Sequence, residues 1–193
     1  RYYLHAFLES VDKNFSHWKP NSKRCLEVGD GHFIKADTSR AWKQRPGKMF
    51  RMCDDASSFS LDLFDPRADI KADIEAPLES VHPDERHLLQ KRFDVIVCAQ
   101  VLEHVNHPQN AFRGLATLLN NDGILILTVP FLGNPIHGHD VSRFTVQGVK
   151  VMAHEAGLEV VTCVPRGNSL TVIAYLLELA AEDFTAEELD AHD

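Results

Sequence analysis

Short apolar runs alternate along the chain with segments of helical period. The runs are Cys25–Val28, Phe59–Leu63, Phe93–Ala99, Gly123–Val129 and Leu158–Val164. Brief stretches rich in Val, Ile and Leu, bounded by Gly, Pro or Asp, suit strands buried on both faces of a parallel sheet. Asp94-Val95-Ile96-Val97-Cys98 and Ile124-Leu125-Ile126-Leu127 are the clearest of them. Between these two, Pro108 fits a first helical position behind Asn106 or His107, and Ala111, Leu115, Leu118 and Leu119 recur at helical spacing. Asn120-Asn121-Asp122-Gly123 predicts the turn that releases the next strand. A second helix opens on Thr145 as cap, carries Val149, Met152, Ala153 and Ala156 as its stripe, and stops at Gly157. Tyr2, Tyr3, Phe7, Leu8 and Val11 predict an amphipathic helix over 2–18 that covers the core, and 168–182 predicts an apolar C-terminal helix. Residues 41–58 mix basic residues with Pro46-Gly47 and read as a loop or insertion.

Strand and helix in alternation predict an α/β fold, a doubly wound and mainly parallel sheet with helices on both faces. At 193 residues the expected organisation is one domain over 1–193 with its core at 24–164. The net charge of −8, with no long basic run, gives non-specific nucleic-acid binding no electrostatic footing. The longest apolar stretch, Leu170–Leu177, is too short for a membrane span, and Arg1–His5 contains no apolar leader core. Cys25, Cys53, Cys98 and Cys163 stand singly, which predicts free thiols, mostly buried, in a reducing compartment and hence a cytoplasmic location.

Candidate chemistry begins at the first strand. Glu27-Val28-Gly29-Asp30-Gly31 is a strand running into a glycine turn, where a Cβ would block close approach of a ligand. A dinucleotide fingerprint wants a third glycine at position 34, which is Ile34, so that motif fails. Asp62, followed by Leu63, stands at the end of the second strand, where a carboxylate accepts both ribose hydroxyls of a nucleoside. Asp65 is the fallback for that position. Asp73 and Ile74 follow at the third, placed to take an adenine amino group and pack on its ring.

Taken together, Leu26–Gly31, Asp62-Leu63, Ala72–Ile74, Phe93–Cys98, Val101–Val105 and Asp122–Pro130 resemble class I S-adenosylmethionine-dependent methyltransferases, with a type 11-like domain, over residues 24–164. The string FDVIVCAQVLEHV is the most specific piece. The resemblance implies S-adenosyl-L-methionine as cofactor. Glu27, Gly29, Asp30 and Gly31 would hold its methionine part, Asp62 and Leu63 the ribose side, Asp73 and Ile74 the adenine, and Gln100 the region of the sulfonium and amino group. Three departures accompany it. Phe33 stands where the family has a third glycine, the gap from Gly31 to Asp62 exceeds the usual roughly 20 residues, and the family's final antiparallel strand is not evident after Val164.

The run Pro130–Thr145 is similar to a subgroup associated with glycan or lipid modification, so a small-molecule, glycan or lipid-type acceptor is expected, methylated at oxygen. Methyl transfer from a sulfonium is an in-line displacement that needs alignment and, for a hydroxyl acceptor, a general base. Glu103, His104, His107, His137, His139 and Asp140 are candidates, with His139-Asp140 preferred and His104 next. Arg143 would bind an anionic acceptor or pair with Asp140. Two other readings stay open: a non-catalytic binding module, motivated by Phe33, and a metal-dependent enzyme using His104, His107, His137, His139 and Asp140.

Overall fold

The computed structural model describes residues 7, 10–11, 23–29, 53, 57–132, 140–177, 179 and 183–190. Its sheet has strands β1 (Cys25–Val28), β2 (Ser58–Asp62), β3 (Ile70–Lys71), β4 (Phe93–Ala99) and β5 (Leu119–Thr128), in the order β3-β2-β1-β4-β5. Every pairing is parallel. This is the doubly wound α/β architecture expected. The chain builds outward from β1 to β3 on one side, then returns to lay β4 and β5 on the other. The reversal falls between β1 and β4, where a crevice opens beyond the strands' carboxyl ends.

Alternation along the strands divides the core into two layers. Leu26, Val28, Leu61, Ile96 and Cys98 pack on one face with helix α3 (Pro108–Leu118), through Ala111, Phe112, Leu115 and Leu118. On the other, Cys25, Val95, Val97 and Ile126 meet Val11, with Phe7 packed against them. Phe7, Ser10 and Val11 are helical, and the rest of the helix predicted over 2–18 lies outside the described residues. Short helices α1 (Pro77–Ser80) and α2 (Arg86–Leu89) carry the chain from β3 to β4. Gly114 lets α3 settle on the loop after β3: a Cβ there would sit 2.0 Å from the Ile74 carbonyl oxygen. Below the sheet, the Arg24 guanidinium lies over the rings of Phe59 and Phe93 at 4.4 and 4.5 Å.

Helix α4 (Val146–Glu155) starts on the predicted cap, with Thr145 Oγ1 accepting from the Gly148 N–H at 3.0 Å. It ends at Gly157, whose φ of +77° is the left-handed stop. Helix α5 (Ser169–Leu176) is shorter than the predicted 168–182, and is opened by Asn168 Oδ1 accepting from the Thr171 N–H at 2.9 Å. A final turn of helix, α6 (Ala186–Asp190), follows.

Some expectations are corrected. Asn120–Gly123 is not a free turn before the strand but part of β5, absorbed by a register shift in which Phe93 pairs Leu119 and Val95 pairs Ile124. Asn120 Nδ2 donating to Asp94 Oδ1 at 2.7 Å fastens that bulge. Leu158–Val164 forms no strand; Val161 is 75% exposed and β5 remains the sheet's edge. Strand propensity without a paired neighbour does not make a strand. Instead an open trough of about 1920 Å³ separates β5 from α4, α5 and the irregular stretch between them. Leu63 falls just past the end of β2, and Asp73 just past that of β3, rather than within the strands.

The cysteines are also corrected. Cys25 and Cys53 form a disulfide, whereas Cys98 and Cys163 are free. The crossover from β1 to β2 carries Cys53 back to the buried start of β1, with the two Cα atoms 6.0 Å apart. Among the described residues no helix is long and apolar enough to cross a membrane.

The disulfide closes a loop over a sequence separation of 28. By loop-closure entropy, its loss should lower the unfolding free energy by about 3–4 kcal/mol. Urea unfolding with and without reductant, or of Cys53→Ser, measures this, and an unchanged midpoint would contradict it.

Candidate active site

The turn after β1 sits at the switch point. Gly29 has φ +87° and its N–H donates to the Leu61 carbonyl at 2.9 Å. A Cβ at this position would lie 2.8 Å from Val101 Cγ2, so both backbone and space call for glycine. Glu27, two residues earlier, is buried at 4% exposure in register with Ser60 and Val97. Asp30, Gly31 and Phe33 lie outside the described residues.

Asp62 ends β2 at the same edge. Its Oδ1 accepts from the N–H groups of Phe64 at 2.7 Å and Asp65 at 2.8 Å. Both bonds use one oxygen, so the carboxylate is oriented while Oδ2 keeps its accepting capacity. Leu63 and Phe64 are exposed beside it. The fallback Asp65 is engaged instead by Arg67, at 2.6 Å. Asp73 Oδ1 accepts from the Glu75 N–H at 2.9 Å, while its own N–H bonds to Ser80 Oγ at 2.8 Å. Ile74 is buried in the core layer beneath α3. Gln100, directly after β4, holds φ +57°, a left-handed conformation uncommon for a residue with a side chain. Its N–H and Nε2 donate to the carbonyl and Oγ1 of Thr128 at 3.0 and 3.2 Å. Such strain at a switch point is the kind of outlier that functional sites hold in place.

A second cluster stands where the chain leaves β4 and β5. The turn Leu102–His104 is bonded to the stretch after residue 139: the Glu103 carbonyl accepts from Val141 N–H at 2.6 Å and Ser142 N–H at 3.2 Å. This brings His104 Nδ1 to 3.0 Å from Asp140 Oδ1, while Arg143 reaches Asp140 Oδ2 at 2.7 Å. Of the two roles expected for Arg143, the structure shows the ion pair. His137 and His139 lie outside the described residues. The Glu103 side chain is 3% exposed, and its Oε2 has no hydrogen-bond partner among the described residues. Burial pushes this carboxyl above the usual range, with Asp140 adding to the rise; its own backbone N–H, His104 and Arg143 act against it. Burial likewise pushes the Cys98 thiol up, helped by Glu103. Among the described residues no group of three or more His, Cys, Asp or Glu could hold a metal.

One member of this rim was not read from the sequence. Glu75 Oε1 accepts from the N–H groups of Asn106 at 3.0 Å and His107 at 3.2 Å, capping α3 in place of the local side chains. A cap supplied from about thirty residues upstream leaves no local signal.

Comparison with known families decides the affiliation. A family model described as a methyltransferase domain matches residues 1–163. The chain belongs to the methyltransferase-domain family. No curated protein matches. Among solved structures, the CurJ carbon methyltransferase is similar at TM-score 0.55 and 17% identity, covering 86% of this chain and 50% of that one. This methyltransferase-domain chain thus spans half the length of CurJ, and at that identity the likeness speaks for the fold. The trans-methyltransferase CalH, solved with SAH, aligns at TM-score 0.38 and 15% identity, over 83% of this chain and 44% of that one. The N-terminal domain of EvdMO1, solved in the presence of SAH and D-fucose, aligns at 0.35 and 17%, over 77% and 72%.

The two crowded glycines should respond differently to an added methyl group. Gly114→Ala meets backbone and should cost about 3 kcal/mol or more. Gly29→Ala meets a side chain that can rotate, leaving mainly the left-handed backbone penalty of about 1–2 kcal/mol. Urea midpoints of the two variants check the order, and the reverse order would contradict it.

Proposed function

We propose that this chain transfers a methyl group from S-adenosylmethionine to a small-molecule, glycan or lipid-type acceptor, at oxygen. The observation that carries the reading is Asp62: a carboxylate at the end of β2, oriented through one oxygen and open at the other, on the strand paired beside the Gly29 turn. That is the donor-hungry group a ribose diol needs. The Gly29 turn beside it is fixed by the fold, since its positive φ and the approach of Val101 both require glycine.

When bound, the cofactor supplies an electrophilic methyl on a sulfonium. The protein's own contribution is placement. Asp62 and Leu63 hold the ribose side, Asp73 and Ile74 the adenine side, and Glu27, Gly29, Asp30 and Gly31 the amino-acid end, with Gln100 facing it from β4. Asp140 accepts from His104 Nδ1, which leaves Nε2 to take the proton of an acceptor hydroxyl. Arg143 fixes the other oxygen of Asp140 and so the orientation of the pair. His139, the residue before Asp140 in the sequence, is the alternative base.

Titration calorimetry with S-adenosylmethionine and S-adenosylhomocysteine tests the reading. Wild-type protein should bind both, and Asp62→Ala should weaken binding by roughly ten- to a hundredfold, the loss of charge-assisted hydrogen bonds worth about 1.5–3 kcal/mol. Equal affinity in the variant would remove Asp62 from the site. Absence of binding at millimolar ligand would overturn the methyl-transfer reading and favour a non-catalytic module.

A further inference from the structure

The proposed base pair is assembled from two separate segments, and one residue joins them. His104 belongs to the turn after β4, Asp140 to the stretch after β5, and the backbone bonds between the two run to the carbonyl of Glu103 from Val141 and Ser142. The side chain of that same residue is buried, and its Oε2 has no partner among the described residues. The cation that could compensate a charge there, Arg143, is already held by Asp140 at 2.7 Å, and His104 is held by the same carboxylate. An ionised carboxylate at this junction would be a buried charge with no side-chain donor among the described residues, which a folded chain avoids by neutralisation or by movement.

We propose that Glu103 is a positioning residue: as a neutral carboxyl it keeps the turn latched to residues 140–144, and its ionisation opens the latch and separates His104 from Asp140. Among the described residues, the titratable or charged groups that face it are Cys98 on β4, His104 on its own turn, and Asp140 and Arg143 on the facing stretch. Burial is the largest influence on it and favours the neutral form. The latch is therefore closed while Glu103 holds its proton and opens as pH rises past its ionisation. As a role in catalysis this rests on the methyl-transfer reading; as a latch it does not.

Amide hydrogen exchange at Val141 and Ser142, corrected for the intrinsic pH dependence of exchange, reads the latch directly. In wild-type protein, protection should fall roughly tenfold per pH unit once Glu103 ionises. In Glu103→Gln, and in Glu103→Leu, which keeps the bulk without a polar group, protection should be flat with pH. A packing role alone would not produce that difference. The unfolding free energy of wild type should also decline relative to Glu103→Gln as pH rises above the ordinary carboxyl range, because the folded chain holds a proton that the unfolded chain releases. Coincident wild-type and Glu103→Gln exchange profiles, or a flat wild-type profile, would overturn the latch. Calorimetry with S-adenosylmethionine on the same samples separates the two claims: wild-type protein that does not bind loses the methyl-transfer reading, whatever the exchange profiles show.

Discussion

The exit of β1 passes so close to the exit of β4 that a single methyl group at Gly29 would collide with Val101. That approach is what the rest of the candidate site depends on. With all five strands parallel, every carboxyl end lies on one edge, and the sheet order changes direction between β1 and β4. Gly29 lets the two exits converge, so that the turn after β4 can carry Gln100, Glu103 and His104 toward the groups on β2 and β3.

Carboxylates at this edge do different work according to their surroundings. Asp62 is oriented by two backbone N–H groups on one oxygen. Glu75 is spent on capping α3, which holds the loop after β3 against the start of that helix. Asp140 binds a histidine and an arginine at once. Glu103, with a buried oxygen that has no partner among the described residues, is driven toward the neutral form. The same chemical group thus keeps one oxygen open, caps a helix, pairs with cations or is driven toward neutrality, and burial with hydrogen bonding decides which.

Strand positions were the most legible part of the sequence, because two-sided burial writes itself as unbroken apolar runs such as Phe93–Ala99. Local caps were legible too: Thr145 and Gly157 act through neighbours three or four residues away. What failed was non-local. Leu158–Val164 has the composition of a strand, yet no neighbour pairs with it. The turn residues Asn120–Gly123 are drawn into β5 by Asp94 across the sheet. Cys25 looked like a core thiol because the partner that meets it lies a whole crossover away. In the candidate site, Asp62 and Gln100 could be placed by strand ends alone, whereas Glu75 and the latch at Glu103 depend on which loops meet. His139, Asp30, Gly31 and Phe33 lie outside the described residues.

Backbone-amide chemical-shift mapping during titration with S-adenosylhomocysteine tests the central claim most directly. A nucleoside seated in the crevice between β1 and β4 predicts saturable shifts at Gly29, Asp62, Asp73 and Gln100, with the edge of β5 quiet. Shifts confined to the trough beside β5, or none that saturate, would contradict it.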